Sequence, residues 1–565
     1  MKKIISVIKS YRLNPIKDKN LRLFIEIIFG IYFYIKNIKN FILLKKISNE
    51  IKKSNNKKKQ KIFFAFSFNI SANCFFHDFY LSKSLELENC EIIPLILGKK
   101  LYLNNNKIFN KYLDHPHEIA GFFLKFNDIL LWKYLCGLNP ISLDENLSQE
   151  DFSKYSKITE DINIDAIDNF NFENLPAGKY ARLRFINDNG VGDFRLVNEY
   201  KKKLKIYLLH TILIIIATKK ILKLKKPDIV LTNDTFYYPP CIIQDLCKNL
   251  NIPTYNYFWG IKNNSFFYSK DKSCQWRDIS NILEFNKNNS ELSDTESKII
   301  DQYLNERPSG NTAFSAQFEN PGLNNDIIID DENLLIKKMD LNKPTAILFA
   351  NVSNDLNALE RSIQFDDQFD WIEKCIDYFN VNQNYNLIIK PHPAEKNKHS
   401  VPVIQSIKSH INNKKIKLEQ NIIVLDPLTS VSSYKLYKIA KICLVYTSTT
   451  GLEYACNGYP VITSGKSHYH GKGFTIDTNT LDDYFLAIEN YLMSNESETD
   501  IAFRIKKAKR YYYYYAFVFA KSFEPLTYDK FKIKLNFKSV EDFKNNRNIN
   551  LNNICDSIIS KKDII

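Results

Sequence analysis

Glycine and proline are scarce, at 15 and 18 positions in 565 residues. That excludes a collagen-like chain and a low-complexity one. No Asp-x-Asp pair occurs anywhere, so the carboxylate pair that usually clamps a metal on a diphosphate is missing, and no metal is expected. Cysteine lacks a pattern: Cys74, Cys90, Cys136, Cys241, Cys247, Cys274, Cys375, Cys443, Cys456 and Cys555 form no C-x-x-C pair and have no histidine at zinc-ligand spacing. Several sit in apolar runs, as reduced core cysteines do, which points to the cytosol. Long apolar runs are missing too. Between 21 and 44 the residues Arg22, Glu26, Lys36 and Lys39 interrupt the pattern, and the clean stretch 27–35 falls short of the roughly 20 residues a span needs. The run 206–218 is also too short and reads as a buried helix before a strand. Lys2, Lys3 and Lys9 are followed by no apolar region ending in a small-residue cleavage site, so no signal peptide is expected.

What is present is enough apolar residue, 44%, for a folded core. At about 150 residues per domain the length allows two to four domains. The net charge of +15 is unevenly placed. Residues 1–60 carry 16 Lys and Arg against 3 Asp and Glu, a net +13, and residues 501–565 carry +8, which leaves the middle at −6. A nucleic-acid enzyme would more often concentrate positive charge on its folded body, so no nucleic acid is expected. Two basic, aromatic ends fit an anionic inner-membrane surface better, with 1–60 as a basic amphipathic segment. The competing reading is a helix packed on the body with its lysines in water.

Continuous apolar runs alternating with helical patterns predict an α/β chain of two Rossmann-like, doubly wound domains. Lys61–Phe68, Glu91–Leu97, Asp228–Thr232 and Pro253–Phe258 read as strands of a first domain over 61–285, with inserted helices between 100 and 200. Residues 286–335, rich in Asn, Ser, Asp and Glu, read as a connector. A second domain over 336–495 has strands at 345–351, 386–390, 422–425, 442–446 and 460–463 and helices at 369–380, 432–440, 451–457 and 481–493. The tail 496–565 is predicted to be helical and to cross back over the junction.

Ligands of such sheets bind outside the carboxyl ends of the strands, and three loops there carry chemistry. Lys390-Pro391-His392-Pro393-Ala394-Glu395 braces an imidazole between two prolines, where His392 could donate to a phosphate oxygen or leaving group; an ordinary turn histidine is the alternative. Thr447-Ser448-Thr449-Thr450-Gly451, with Glu453 in the turn that follows, combines hydroxyls, a glycine and a helix start into an anion site, with Glu453 available to a ribose. Plain capping by Thr449 or Thr450, with Glu453 completing the box, is the competing explanation. Ser464–Phe474 contributes Lys466, His468, Tyr469, His470 and Lys472 in a glycine-punctuated loop. Its Gly465-Lys466-Ser467 is not a P-loop, because the upstream glycine is missing.

These residues resemble the bacterial capsule polysaccharide biosynthesis proteins, glycosyltransferase-like chains of the two-domain GT-B architecture. The resemblance rests on the motifs 390–395 and 446–453, Gly458–Ile462, the loop 469–474, Asn351–Asp355 and the aromatic stretch 509–519. It implies two domains facing a cleft and sugar transfer from a nucleotide-activated donor held by the second domain. Relatives using CMP-linked acidic sugars have a His-Pro and a Ser/Thr motif that would map onto His392-Pro393 and Ser448-Thr449. The expected donor-binding set is Lys390, Pro393, Glu395, Thr447, Ser448, Thr449, Thr450, Gly451, Glu453, Lys466, Tyr469 and Lys472. His392 is the expected catalytic group, and Asp234, Asp78 and His77 are the candidates for the acceptor's base. Where relatives often have His-Gly after the first-domain strand, Asn233-Asp234-Thr235 stands here. No cofactor beyond the donor is expected. The expected partners are a nucleotide sugar, a growing or lipid-linked glycan, the inner-membrane surface and other assembly proteins. A CDP-polyol phosphotransferase of teichoic-acid type and a non-catalytic glycan-binding scaffold are the rival functions.

Overall fold

The computed structural model describes residues 35, 37–52, 60–65, 72–98, 101, 129–192, 198–233, 235–288, 291–309, 339–340, 342–355, 358–396, 403, 405–429, 431–529, 532–543 and 549–564. It consists of two α/β, Rossmann-like units, as the alternation of apolar runs and helical patterns predicts. One compact unit comprises Met1–Asp188, Phe194–Trp276 and Ala520–Ile565; the other comprises Asn189–Asp193 and Arg277–Phe519.

In the first unit, β1 (Gln60–Ala65), β2 (Cys90–Ile96), β3 (Ile141–Ser142), β4 (Ile229–Asn233), β5 (Thr254–Trp259) and β6 (Ser265–Lys270) join a strand from the C-terminal segment, Ala520–Ser522. The sheet runs Ala520–Ser522, β6, β5, β4, β1, β2, β3. Pairs from β3 to β5 are parallel, and the last two are antiparallel. Burial on both faces is why β1 and β4 read as unbroken apolar runs rather than alternating ones. The crossover helices Ala72–Leu87 and Pro240–Asn249 follow β1 and β4, each connecting to a parallel neighbour. The run 206–218 lies inside a longer helix, Asn198–Lys225. The chain is helical over 37–52, and Phe41, Leu44, Ile47 and Ile51 join the same core as β1.

In the second unit, β7 (Thr345–Phe349), β8 (Asn386–Lys390), β9 (Ile422–Val424), β10 (Ile442–Val445), β11 (Val461–Thr463) and β12 (Ile476–Asp477) form one sheet in the order β12-β11-β10-β7-β8-β9. Every pair is parallel, with Leu348 opposite both Leu444 and Ile389. All residues of β7, β8, β10 and β11 are buried. Because the strands point one way, the loops after β7, β8, β9, β10 and β11 emerge along a single edge.

Three segments differ from expectation. The stretch 432–440 is a single 3-10 turn, Lys435–Lys438, in which Leu436 alone is buried, too little apolar surface to hold a longer helix. The supposed connector contains a helix, Asp294–Glu306. Its capping box, with Ser293 N–H donating to Glu296 Oε2 at 2.8 Å and Glu296 N–H to Ser293 Oγ at 3.3 Å, supplies the polar residues that disguised it. The block 496–565 is divided: the helix Glu498–Tyr513 and the turn after it belong to the second unit, and the chain enters the first at Ala520.

Candidate functional site

Ser448, in extended backbone, caps the helix Thr449–Cys456, its hydroxyl accepting the Thr450 N–H at 3.3 Å. The cap therefore lies one residue before Thr449 and two before Thr450, the threonines proposed for it. Thr449 and Thr450 are half-buried in the first turn behind it, so capping consumes one hydroxyl of the four. Two neighbouring loops fix the turn. The Thr447 N–H donates to Asn351 Oδ1 at 3.2 Å, and Asn351 is itself held by Gln368 through bonds of 2.7 and 3.0 Å. Tyr469, fully buried, donates its hydroxyl to the Ser448 carbonyl at 2.5 Å. Gly451 permits this approach, because a Cβ there would lie 2.5 Å from the Tyr469 oxygen.

Two strands away in the sheet, roughly 10 Å by interstrand spacing, the loop after β8 turns through Pro391, His392 and the 3-10 segment Pro393–Lys396. His392 Nδ1 accepts the Ala394 N–H at 3.1 Å. The neutral ring therefore carries its proton on Nε2. Lys390 is buried, its ammonium donating to the Val431 carbonyl at 2.8 Å; it ties β8 to the loop after β9. Glu395 is buried, with Oε1 accepting the Ile407 N–H at 3.3 Å and Oε2 lacking a hydrogen-bond partner. Burial pushes its carboxyl up to about 8; Asp426 adds to the rise, while the Ile407 N–H and Lys396 oppose it. Pro393 is half-buried beside it.

The sheet thus brings together Lys390, His392, Pro393, Glu395, Thr447, Ser448, Thr449, Thr450, Gly451 and Tyr469. Lys466 is exposed, and Lys472 donates to Ser280 Oγ at 3.0 Å. Glu453 has another occupation. Its carboxylate pairs with Arg307 at 2.8 and 2.9 Å and accepts from Tyr434 at 2.8 Å, all inside the protein, so it is neither part of a capping box nor presented to a ribose. His77 and Asp78 cannot be the base. His77 is 0% exposed, with Nδ1 at 3.0 Å from Asp78 and Nε2 at 2.7 Å from the Tyr268 hydroxyl, and Asp78 is buried with it. A base must reach the hydroxyl it deprotonates, and these face a wall of Tyr257, Phe266 and Phe523. Asp234 lies outside the described residues.

Sequence reasoning missed Arg277 and Arg361. Arg361, in the loop after β7, is buried, and its carbonyl accepts the Lys466 N–H at 2.7 Å. Burial and the nearby charge of Arg277 push it down to about 10. Neither residue belongs to a motif, and only the fold reveals their neighbourhood. Among the described residues no cluster of three or more His, Cys, Asp or Glu could hold a metal ion.

The two units are α/β domains built on mostly parallel sheets, whose ligands bind outside the carboxyl ends of the strands. Residues 327–495, all within the second unit, match the family model of the capsule polysaccharide biosynthesis protein, so the likeness read from the motifs holds over that segment. No curated protein matches. Among solved structures, the chain is similar to the KpsC beta Kdo 2,4 transferase of Thermosulfurimonas dismutans (12% identity, 56% of this chain and 87% of that one, TM-score 0.33). It is also similar to the beta Kdo 2,7 transferase of the same KpsC (14%, 51% and 79%, 0.28) and to the UDP-GlcNAc 2-epimerase of Methanocaldococcus jannaschii (11%, 80% and 98%, 0.26). Likenesses this loose carry no argument about chemistry.

Proposed function

We propose that this chain is a glycosyltransferase that moves a sugar from a nucleotide-activated donor, CMP-linked donors among them, to a growing or lipid-linked surface polysaccharide. The observation that carries the reading is the placement of the Ser448-capped helix start and the His392 turn at the carboxyl ends of parallel strands two apart in one sheet. The match of this segment to a capsule biosynthesis family supports it.

In the proposed reaction the donor's phosphate lies against the N–H groups and hydroxyls of 448–450, with Lys466 and Lys472 supplying charge. His392 Nε2–H donates to a phosphate oxygen as the glycosidic bond breaks and negative charge develops there. The protein's own cations and helix start meet that charge without a metal. Removing one preorganised donor of this kind costs about a hundredfold or more in rate. Asp234, which follows β4, is proposed as the acceptor's base.

The work is proposed to take place on the cytoplasmic face of the inner membrane. Among the described residues no helix is long and apolar enough to cross a membrane. The helical stretch 37–52 buries one side in the core and exposes the other, with Ile38 56% and Ile42 65% exposed and Ile35 63% exposed in line with them. Lys39, Lys45 and Lys46 flank this stripe. Aliphatic side chains rimmed by lysine suit an anionic bilayer, which solvates the first and attracts the second.

The test is nucleotide release from a panel of CMP-, CDP-, UDP- and GDP-linked donors, with and without glycan acceptor. Acceptor-dependent release from a sugar nucleotide supports the proposal. Release from CDP-glycerol alone would assign polyol-phosphate transfer, and no binding of any nucleotide would leave a glycan-binding scaffold.

A further inference from the structure

Within the second unit, the loop after β7 and the loop after β11 run side by side. Ser362 bridges Gly465, and a Cβ on Gly465 would come within 3.1 Å of the Arg361 carbonyl, so glycine allows the close approach. Arg361 Nη1 donates to the Lys466 carbonyl at 3.4 Å, fixing its guanidinium at this seam. His468 lies on the same loop, its ring stacked on Tyr515 at 4.4 Å, with Nδ1 2.9 Å from the Tyr511 oxygen. The Tyr511 proton goes to the His468 carbonyl at 2.6 Å. Nδ1 is therefore the donor of that pair, and Nε2 is left as an acceptor. Nε2 is buried with no hydrogen-bond partner, and so is the Nε of Arg277. Lys472 reaches Ser280, three residues beyond Arg277.

Arg277, Arg361 and Lys472 all act on His468 through their charge, holding it neutral together with burial. Asp355 is the carboxylate whose charge reaches Arg361, and Asp278 reaches Tyr511. Arg361 is buried and Arg277 and Lys472 are half-buried, and cations drawn together in this way favour an anion among them. The orphaned Arg277 N–H donor and the orphaned His468 acceptor, whose groups lie close enough to feel one another's charge, suit a ligand carrying both an oxyanion and a hydroxyl.

We propose that Arg277, Arg361, Lys472 and His468 form an oxyanion site for a phosphoryl group, with His468 Nε2 accepting from a hydroxyl on or beside it. The guanidiniums bond the phosphate oxygens, and no covalent step is involved. The site rests on the reading that the strand-end loops of this unit hold a nucleotide, and it adds Arg277, Arg361 and His468 to the hold that 448–450 and Lys472 have on its phosphate end. Free inorganic phosphate offers the same chemistry.

Calorimetric titration of the full chain with inorganic phosphate, CMP and UDP tests this, alongside Arg277→Met and Lys472→Met. Arg277 already occupies φ +53°, so the Met variant inherits its backbone strain rather than adding any. Its melting temperature should not fall, since a repelling charge has been removed. Each variant should weaken binding of the probe at least about tenfold, the loss expected for a hydrogen bond to a charged group. Phosphate binding that is lost in the variants while neither nucleotide binds keeps the anion site and removes the nucleotide reading. A nucleotide bound as tightly by Arg277→Met as by the wild type overturns the anion site alone. A wild-type chain that binds none of the three overturns both.

Discussion

Gly451→Ala probes how rigidly the anion-binding turn is held. The new Cβ would lie 2.5 Å from the Tyr469 hydroxyl and 3.0 and 3.1 Å from the Val445 methyls. Ordinary contact begins near 3.4 Å, so the hydroxyl must retreat by about 1 Å. Tyr469 is 0% exposed, so its ring can move only by displacing neighbouring atoms. Overpacking of this kind costs about 1–3 kcal/mol, offset by the roughly 1 kcal/mol that alanine gains over glycine in a helix. Net destabilisation of about 1–2 kcal/mol follows. Tyr469→Phe loses the bond to the Ser448 carbonyl, worth about 1 kcal/mol, but it also removes the obstructing oxygen. In that background Gly451→Ala should cost less, since only the Val445 contacts remain, giving a favourable coupling of about 1 kcal/mol in a urea-denaturation double-mutant cycle. Strictly additive variants, or a Gly451→Ala as stable as wild type, would refute the packing argument.

His392→Ala should cut transfer at least tenfold with the melting temperature nearly unchanged; a fully active variant would take the histidine out of the reaction. Arg307→Met should destabilise the fold by about 3–5 kcal/mol by stranding the Glu453 carboxylate, read by thermal or urea unfolding. Because the folded-state pKa of Glu395 stands at about 8, above its unfolded value, its contribution is complete below about pH 4.5 and is lost as pH rises towards 8. Glu395→Gln should flatten that fall in a pH series of unfolding curves. Ile38→Asp with Ile42→Asp should release the chain from phosphatidylglycerol vesicles in co-sedimentation while leaving its stability intact. Deleting the whole segment is a poorer test, because Phe41, Leu44, Ile47 and Ile51 belong to the core.

Legibility followed burial. β7, β8 and β10 are flanked on both sides by parallel strands and covered on both faces, so their sequences TAILF, NLIIK and ICLV leave little alternative. The loops after them could be found by counting from strand ends, which is how His392 and the Ser448 turn were located. Short-range polar chemistry misled. The helix at 294–306 was hidden by its own capping box, and Glu453 at helix-capping spacing turned out to serve Arg307, 146 residues away in sequence. His77 and Asp78 were candidates for the acceptor's base, but aromatic residues from β5, β6 and the C-terminal segment enclose His77, and no local pattern announces such a contact. Arg277 and Arg361 were invisible for the same reason.

A crystal structure with an intact nucleotide sugar or its nucleotide bound would decide where the donor sits. The donor's phosphate should be found within hydrogen-bonding distance of the backbone at 448–450, with His392 Nε2 directed to one of its oxygens. Nucleotide density elsewhere, with the 447–451 turn and the 390–395 turn both vacant, would contradict the proposal that these two loops carry the reaction.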